Sequence, residues 1–140
     1  MMAGNAPETP SSGEVRQTRI MVVDDAMTIR LYCRQILESA GFIVDEALNG
    51  LEAIEKALIQ PCDLFLVDIN MLGMDGYSML RLIRRDPVLG AIPAVMVSTE
   101  SKESDQIKAF EAGANLYLIK PLSPDQLLLA AAMMTGRPTP

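Results

Sequence analysis

The sequence has no histidine, no tryptophan and only two cysteines. Without histidine, thiolate–imidazole zinc sites and histidine-based acid–base catalysis are excluded. Phe and Tyr number three each, so aliphatic side chains must fill the core. The formal net charge is −6, and this argues against nucleic acid or an anionic membrane as a direct partner, because both require a basic surface. An acidic chain of this kind is suited to holding a cation.

Long apolar runs are also missing. No stretch of eighteen apolar residues occurs, so no membrane span is predicted. Residues 1–18 are rich in Pro, Ser, Gly and Glu and lack the apolar segment of a signal peptide, so we expect a disordered tail and a cytoplasmic protein. Cys33 and Cys62 allow one disulfide, but the lack of an export signal favours two thiols. We expect one domain over 19–135 and a short tail over 136–140.

Two hydrophobic periodicities alternate along the domain. Strand-like apolar runs occur at 20–23, 42–47, 63–67, 93–97 and 116–119. Helical patterns occupy 26–40, 50–59, 76–85, 102–113 and 123–134. This alternation predicts an α/β fold: a doubly wound, five-stranded parallel sheet in the flavodoxin-like order 2-1-3-4-5, with five helices. Such a sheet binds ligands beyond the carboxyl ends of strands 1 and 3.

Apolar stripes at helical spacing support the helical segments. In 50–59 the stripe is Leu51, Ile54, Ala57 and Leu58. In 102–113 only Ile107 and Phe110 align, and Gly113 is a plausible terminator. Ser123 followed by Pro124 predicts the start of the last helix.

Charged residues stand at the ends of three apolar strands. Asp24 and Asp25 follow the first strand, and Asp68 follows the third. Lys120 follows the fifth. If the strands are parallel, these side chains gather at one sheet edge. Two carboxylates about 4 Å apart repel by roughly 4 kcal/mol at an effective dielectric near 20, so a cation is expected among them. Mg²⁺ suits an all-oxygen site, and Asp68 is then free to act as a nucleophile on a phosphoryl group.

Simpler structural roles exist for each residue taken alone. Asp24 or Asp25 fits an N-cap for the helix that starts near Ala26. Asp68 fits a turn residue, and Lys120-Pro121 fits a turn. Ser98 fits a cap for the next helix, yet its hydroxyl can equally bond a phosphoryl oxygen and act as a switch. That every one of these residues has only its simpler role, although all lie at strand ends, is less plausible than the simpler role for any single residue.

The chain resembles a bacterial response-regulator receiver domain of the single-domain, CheY-like kind. The resemblance covers about residues 19–135. Its motifs are Val22-Val23-Asp24-Asp25, Asp68 with Asn70-Met71, Met74-Asp75-Gly76, Ser98-Thr99-Glu100, Ala112-Gly113-Ala114 and Lys120-Pro121. Two residues depart from the family pattern. Leu72 stands where Pro is usual, and Met27 replaces a small polar residue.

The resemblance implies a role for each matching residue. Asp68 would accept a phosphoryl group from a sensor histidine kinase or a phosphotransfer protein. Asp25, Asp68 and the carbonyl of Asn70 would hold Mg²⁺, with Asp24 acting through water. Lys120 would bind the phosphoryl group, and the Lys120–Pro121 bond would be cis. Chemistry would be limited to self-catalysed phosphoryl acceptance and loss, without enzymatic turnover.

Four residues are implied in switching and phosphate lifetime. Ser98 would be the switch hydroxyl, and Tyr117 the aromatic side chain that turns inward with it. Asn70 and Glu100, each two residues after a functional position, would tune dephosphorylation, and their identity resembles the chemotaxis type with a short-lived phosphate. The alternative is that both are solvated polar residues at a loop edge.

The resemblance and the short C-terminus lead us to expect output through a partner. Residues 102–134 would form the output surface, with a flagellar motor switch or a kinase complex as its partner in chemotaxis. The alternative is an adaptor or phosphate sink in a stress or developmental pathway.

Other function classes have specific requirements that the sequence does not meet. An Asp-based phosphohydrolase needs a second acid two residues after the nucleophile, where this chain has Asn70. A flavin or nucleotide binder needs a glycine pattern after strand 1, where this chain has an acidic pair. A scaffold that is never phosphorylated would usually lack an acid or the lysine, and all are present.

Overall fold

Five strands and five helices alternate along residues 17–137, the part of the chain that the computed structural model describes. The strands are β1 (Arg19–Val23), β2 (Ile43–Ala47), β3 (Leu64–Asp68), β4 (Ala94–Ser98) and β5 (Leu116–Ile119). The helices are α1 (Met27–Ser39), α2 (Gly50–Ile59), α3 (Gly76–Arg85), α4 (Glu103–Ala112) and α5 (Pro124–Thr135). The predicted terminal tails lie largely outside the described residues, which exclude 1–16 and 138–140.

The strands form one parallel sheet in the order β2-β1-β3-β4-β5, which confirms the predicted topology. Every neighbouring pair is parallel, and β1 lies between β2 and β3. The two inner strands β3 and β4 are buried at all of their positions. Strands covered by helices on both faces must be apolar throughout, and the sequences of β3 and β4 meet this requirement until their last residues, Asp68 and Ser98.

The sheet separates two hydrophobic cores because successive strand residues point to opposite faces. Met21 and Val23 of β1 pack on the side of α2, α3 and α4, together with Leu80 of α3. Ile20 and Val22 pack on the side of α1 and α5, together with Leu127 of α5.

The helix ends follow the local sequence. Asn49 caps α2 and Asp75 caps α3 through side-chain oxygens. Ser123 caps α5 with Pro124 in the first turn, as predicted, and Gln126 completes a capping box with Ser123. Gly113 ends α4 with φ of 116°, which confirms it as the terminator.

The predicted apolar stripe of α4 does not face the core, and that of α2 does so only through Ile54 and Ala57. Ile107 and Phe110 of α4 are 50% and 47% exposed, and the residues that α4 buries are Ala109 and Ala112. In α2, Leu51 and Leu58 are likewise exposed, whereas Ala53 and Ala57 are buried. Both helices therefore approach the sheet through alanines, whose small side chains permit a close contact, and in α2 Ile54 packs beside them.

Strand β2 lies at the edge of the sheet, and side chains of α1 and α2 bond to the edge that does not face β1. The guanidinium of Arg34 donates to the carbonyl of Val44, and the ammonium of Lys56 donates to the carbonyl of Glu46 at 2.6 Å. The carboxylate of Glu46 also pairs with Arg34. Two of the outward polar groups of this strand are thus bonded by residues of α1 and α2.

Both cysteines are free and buried, as predicted. Burial, followed by the charge of Asp24, raises the pKa of Cys33 to about 11, and burial raises the pKa of Cys62 to about 12. Within residues 17–137 no helix has the length and apolar character needed to cross a membrane.

Candidate functional site

Strand register brings the predicted acids to one edge of the sheet. Val23 of β1 lies opposite Val67 of β3, so the next residues along each strand, Asp24 and Asp68, are neighbours. Asp24 and Asp68 are buried and Asp25 is exposed. Each of the three offers a carboxylate oxygen, and these oxygens lie within 4.8 Å of one another. The expected clustering at the carboxyl ends of β1 and β3 is therefore present.

Hydrogen bonds hold the acidic pair in place. Oδ1 of Asp24 accepts from the backbone N–H of Ala26 at 2.8 Å, at the point where α1 begins. The N-cap residue of α1 is Ala26 and no side-chain cap hydrogen bond is present, so the simpler role of Asp24 or Asp25 as an N-cap is not the one observed. The other oxygen of Asp24 faces Lys120 in the crevice. Oδ2 of Asp25 accepts from the backbone N–H of Leu72 at 3.3 Å, which connects the acidic pair to the loop after β3.

Lys120 supplies the positive charge of the crevice. Its Nζ lies 3.1 Å from Oδ1 of Asp68 and 3.4 Å from Oδ2 of Asp24. Burial disfavours the charged ammonium, but the two carboxylates outweigh burial and raise the pKa of Lys120. Lys120 is therefore fully protonated at neutral pH. Its bond to Pro121 is cis, as the resemblance predicts.

Asp68 experiences opposing influences. Burial, and then the nearby charge of Asp24, raise its pKa, whereas Lys120 and a backbone hydrogen bond from Asn70 lower it. The raising influences prevail. The crevice holds three carboxylates and one ammonium, so a further cation would bring it closer to charge balance.

The residues present suit Mg²⁺. The donor set consists of carboxylate oxygens, which hard divalent cations prefer, and the chain has no histidine that would favour zinc or copper. Two of the acids are anchored by backbone N–H groups, so the ligands are partly preorganised.

Ser98 and Tyr117 are connected through the residue between β4 and α4. The hydroxyl of buried Ser98 accepts from the backbone N–H of Glu100 at 3.0 Å. The hydroxyl of Tyr117, also buried, donates to the backbone carbonyl of Glu100 at 2.8 Å. The peptide groups around Glu100 therefore join the predicted switch residues, and Tyr117 lies inward in this structure.

Two cavities flank the acids. One, of about 420 Å³, is lined by Asp25, Asn70, Leu72, Tyr77 and Lys108 among others. The other, of about 620 Å³ and mostly apolar, lies between α1 and the Lys120–Leu122 segment, and Tyr32 and Cys33 form part of its wall. The hydroxyl of Tyr32 donates to the carbonyl of Leu122 at 2.7 Å and thereby links α1 to the segment that bears Lys120.

Sequence reasoning missed several residues that shape the site. Gly76 has no room for a side chain, because a Cβ there would lie 2.9 Å from the carbonyl oxygen of Asp68. Arg30 is buried and bonds to the backbone of Asp24. The Met74-Asp75-Gly76 motif was a usable signal for the glycine. No local signal identifies the arginine, since its partners are distant in sequence.

Comparison with known proteins gives concordant matches. The sequence profile of the response regulator receiver domain matches residues 20–132. The transcriptional regulatory protein ResD of Bacillus subtilis (strain 168) is 38% identical over 124 residues, which are 89% of this chain and 50% of ResD. This chain thus spans half the length of that relative.

Solved structures agree with this family. The chemotaxis protein CheY4 of Vibrio cholerae is similar with a TM-score of 0.82 and 28% identity, over 85% of this chain and 99% of that one. A CheY-like response regulator receiver domain protein from Methanospirillum hungatei JF-1 has a TM-score of 0.80 and 27% identity, over 86% of this chain and 95% of that one.

Proposed function

The chain belongs to the response regulator receiver domain family, and from this we propose that it is a signalling switch controlled by phosphorylation of Asp68. One observation carries the proposal: Asp68 is buried at the sheet edge beside two further acids, and its carboxylate is in contact with Lys120 at 3.1 Å. Receiver domains exchange phosphoryl groups with histidine kinases or phosphotransfer proteins, and we propose such a protein as the donor here.

Phosphoryl transfer uses the side chains of this crevice. A carboxylate oxygen of Asp68 attacks the phosphorus of a phosphohistidine. An O–P bond forms, the N–P bond breaks, and the electron pair returns to the imidazole nitrogen, which takes up a proton. Lys120 stabilises the charge of the transferring group. Asp25, Asp68 and the carbonyl of Asn70 would hold Mg²⁺, with Asp24 acting through water, and the ion when bound supplies further charge neutralisation.

Switching follows from the hydrogen bonds around Glu100. Before phosphorylation the Ser98 hydroxyl bonds to the N–H of Glu100. We propose that it turns to donate to a phosphoryl oxygen, and that the freed segment moves. Tyr117 shares the same peptide segment through its bond to the Glu100 carbonyl, so the movement reaches β5 and α4.

The output surface that we propose spans residues 102–134. Ile107 and Phe110 of α4, Ile119 of β5, and Leu129 and Met133 of α5 are large apolar residues exposed in this range. We propose that a protein partner covers these residues. In chemotaxis signalling this partner would be a flagellar motor switch or a kinase complex. The similarity to a chemotaxis protein structure supports this proposal. An adaptor or phosphate sink in a stress or developmental pathway is the alternative, and the similarity to a transcriptional regulatory protein supports an output other than motility.

Phosphate lifetime is the feature that separates these pathways. Asn70 and Glu100 are exposed in the two loops that border the acids. We propose that they admit water to the phosphoryl group and make the phosphate short-lived, as chemotaxis requires. The decay rate of the phosphorylated protein tests this: Asn70→Arg should slow hydrolysis by blocking the approach of water, and unchanged decay would contradict the role.

The central experiment is intact-mass spectrometry after incubation with acetyl phosphate, with and without Mg²⁺. A single phosphoryl adduct that depends on Mg²⁺ is expected for the wild type and is lost in Asp68→Asn. Asp75→Asn is the matched control, because Asp75 is a nearby exposed acid that caps α3 and asparagine caps equally well. The adduct is retained in this control. No adduct under any condition would overturn the proposal.

The Asp68→Asn protein is expected to remain folded. The pKa of Asp68 is raised in the folded state, so folding binds its proton more tightly than the unfolded chain does. The stabilisation by this proton is complete below the ordinary value of 3.8 and is lost as the pH rises through the folded pKa. At pH 7 without Mg²⁺ the ionised carboxylate destabilises the fold, so Asp68→Asn should unfold at a higher urea concentration than the wild type. Loss of the adduct then reports chemistry rather than unfolding.

A further inference from the structure

Among the described residues, four polar or charged side chains are buried: Asp24, Asp68, Ser98 and Arg30. The first three belong to the crevice and its switch. Arg30 of α1 is only 7% exposed and has no part in the proposed phosphoryl transfer. Burial of a guanidinium is unfavourable unless its charge and its donors are satisfied, so the partners of Arg30 reveal what it does.

Arg30 joins the acidic pair to strand β2. Its Nη1 donates to the backbone carbonyl of Asp24 at 2.6 Å. Its Nε donates to Oε1 of Glu46 at 2.9 Å. The N–H of Asp24 donates to the carbonyl of Ala47, also in β2, at 3.1 Å. Asp24 is therefore bonded on both sides of its backbone, one residue beyond the end of β1.

The carbonyl of Asp24 belongs to the same peptide plane as the N–H of Asp25. Fixing this plane fixes the direction in which the chain enters Asp25. The Asp25 side chain is exposed, and its one bond to the backbone of Leu72 is 3.3 Å long. The peptide plane is thus an important constraint on where this carboxylate points.

The charge of Arg30 is neutralised by Glu46 and not by the carboxylates of Asp24 and Asp25. Glu46 accepts from both Arg30 and Arg34, and Arg30 contacts Asp24 through a carbonyl oxygen. The bond from Arg30 to Asp24 uses the backbone carbonyl and does not take up a carboxylate oxygen of the acidic pair. Arg30 can therefore orient these residues without occupying their ligand atoms.

We propose that Arg30 is a positioning residue for the metal site, with Glu46 as its anchor. It holds the Asp24–Asp25 peptide so that both carboxylates face a divalent cation before the cation arrives. This inference rests on the metal-binding part of the proposed function. Residues behind the ligands of a metal site typically change affinity by about 10–100-fold when they are replaced.

The test is calorimetric titration of the unphosphorylated protein with Mg²⁺. Arg30→Gln is expected to raise the Kd for Mg²⁺ by about tenfold. The direction is diagnostic, because loss of a positive charge near three acids would by itself tighten cation binding. Arg34→Gln is the matched control: Arg34 lies on the same helix and pairs with the same Glu46, but it bonds the Val44 carbonyl rather than that of Asp24. Its Kd should change less than twofold.

Two further measurements separate positioning from a general effect on folding. The rate of adduct formation from acetyl phosphate at saturating Mg²⁺ should be within about threefold of the wild-type rate for Arg30→Gln, since excess cation compensates for a weaker site. Arg30→Lys keeps the positive charge but lacks the guanidinium fork that bonds both Glu46 and the Asp24 carbonyl, and it should also raise the Kd. This second variant provides the test if Arg30→Gln does not fold.

Each result has a definite meaning. An Arg30→Gln Kd equal to or lower than that of the wild type, or an equal rise in Arg34→Gln, would overturn the role of Arg30. Wild-type protein that binds no Mg²⁺ would overturn the metal site and the proposed function with it. A weaker site in Arg30→Gln and Arg30→Lys, with Arg34→Gln unchanged, would establish the proposal.

Discussion

Helices α3 and α4 are neighbours of equal length, ten residues each, yet the sheet holds them very differently. α3 buries Tyr77, Met79, Leu80 and Ile83 in the core. α4 buries two alanines and leaves Ile107 and Phe110 half exposed. The stabilising free energy of apolar burial is proportional to the apolar area that is buried. Packing therefore holds α3 firmly against the sheet and holds α4 only weakly. A helix of the second kind can shift at little cost and can offer its apolar side chains to a partner.

The attachments of α4 to α3 sharpen this contrast. Arg84, near the end of α3, donates from Nε and Nη2 to the carbonyl of Gly113 at the end of α4. At the other end, the hydroxyl of Tyr77 donates to the carbonyl of Asp105 at 3.3 Å, a longer bond. The ammonium of Lys108 lies 4.5 Å from the centre of the Tyr77 ring. The C-terminal end of α4 is therefore anchored, and its first turn has more freedom.

The largest expected effect is on core packing. Leu80→Ala should lower the free energy of unfolding by about 2–5 kcal/mol, because it leaves a cavity under α3. Ile107→Ala, the corresponding truncation on α4, should change it by less than about 0.5 kcal/mol, since the side chain is half exposed. Urea denaturation measures both. Similar losses in the two variants would remove the distinction between the helices.

The next largest effect on stability is expected for Arg84, which anchors the C-terminal end of α4. Arg84→Ala should cost about 2–3 kcal/mol, because it removes charge-assisted hydrogen bonds to the carbonyls of Gly113, Gly90 and Ile92. Arg81→Ala, an exposed arginine one turn earlier, is the control and should be nearly neutral. Urea denaturation of both variants measures the two losses in the free energy of unfolding. A loss in Arg81→Ala as large as that in Arg84→Ala would assign the effect to helix charge rather than to the anchor.

The smallest effect is local. Tyr77→Phe removes one long hydrogen bond and should cost less than about 1 kcal/mol overall. Amide hydrogen exchange should nevertheless become faster in the first turn of α4, while exchange in α3 stays unchanged. Faster exchange throughout both helices would show that Tyr77 supports the core and does not tether α4 selectively.

The fold was predictable because strand and helix periodicities alternate clearly. Strand order followed from the count of βα units, and the cluster of Asp24, Asp68 and Lys120 followed from their places at strand ends. The outward face of α4 was not predictable from its pattern. Ile107 and Phe110 mark a common face of the helix, but a spacing does not say whether that face or the alanine face contacts the sheet.

Arg30 and Arg84 could not have been found from the sequence either. An arginine in an amphipathic helix ordinarily points to solvent. Arg30 is buried because Glu46 and the carbonyl of Asp24 satisfy it, and Arg84 is half-buried because carbonyls of two loops surround it. Burial in both cases depends on tertiary partners that local patterns do not contain.

The outer strand β2 has a consequence for how the protein behaves at high concentration. A strand at the margin of a sheet presents polar groups that can pair with a strand of another molecule, which is a common start of aggregation. Arg34 and Lys56 already bond two carbonyls of β2 and place positive charge along it. A second copy would have to displace both side chains and bring two such charged margins together. In a concentrated solution this edge of the sheet is therefore protected from pairing with a strand of another molecule.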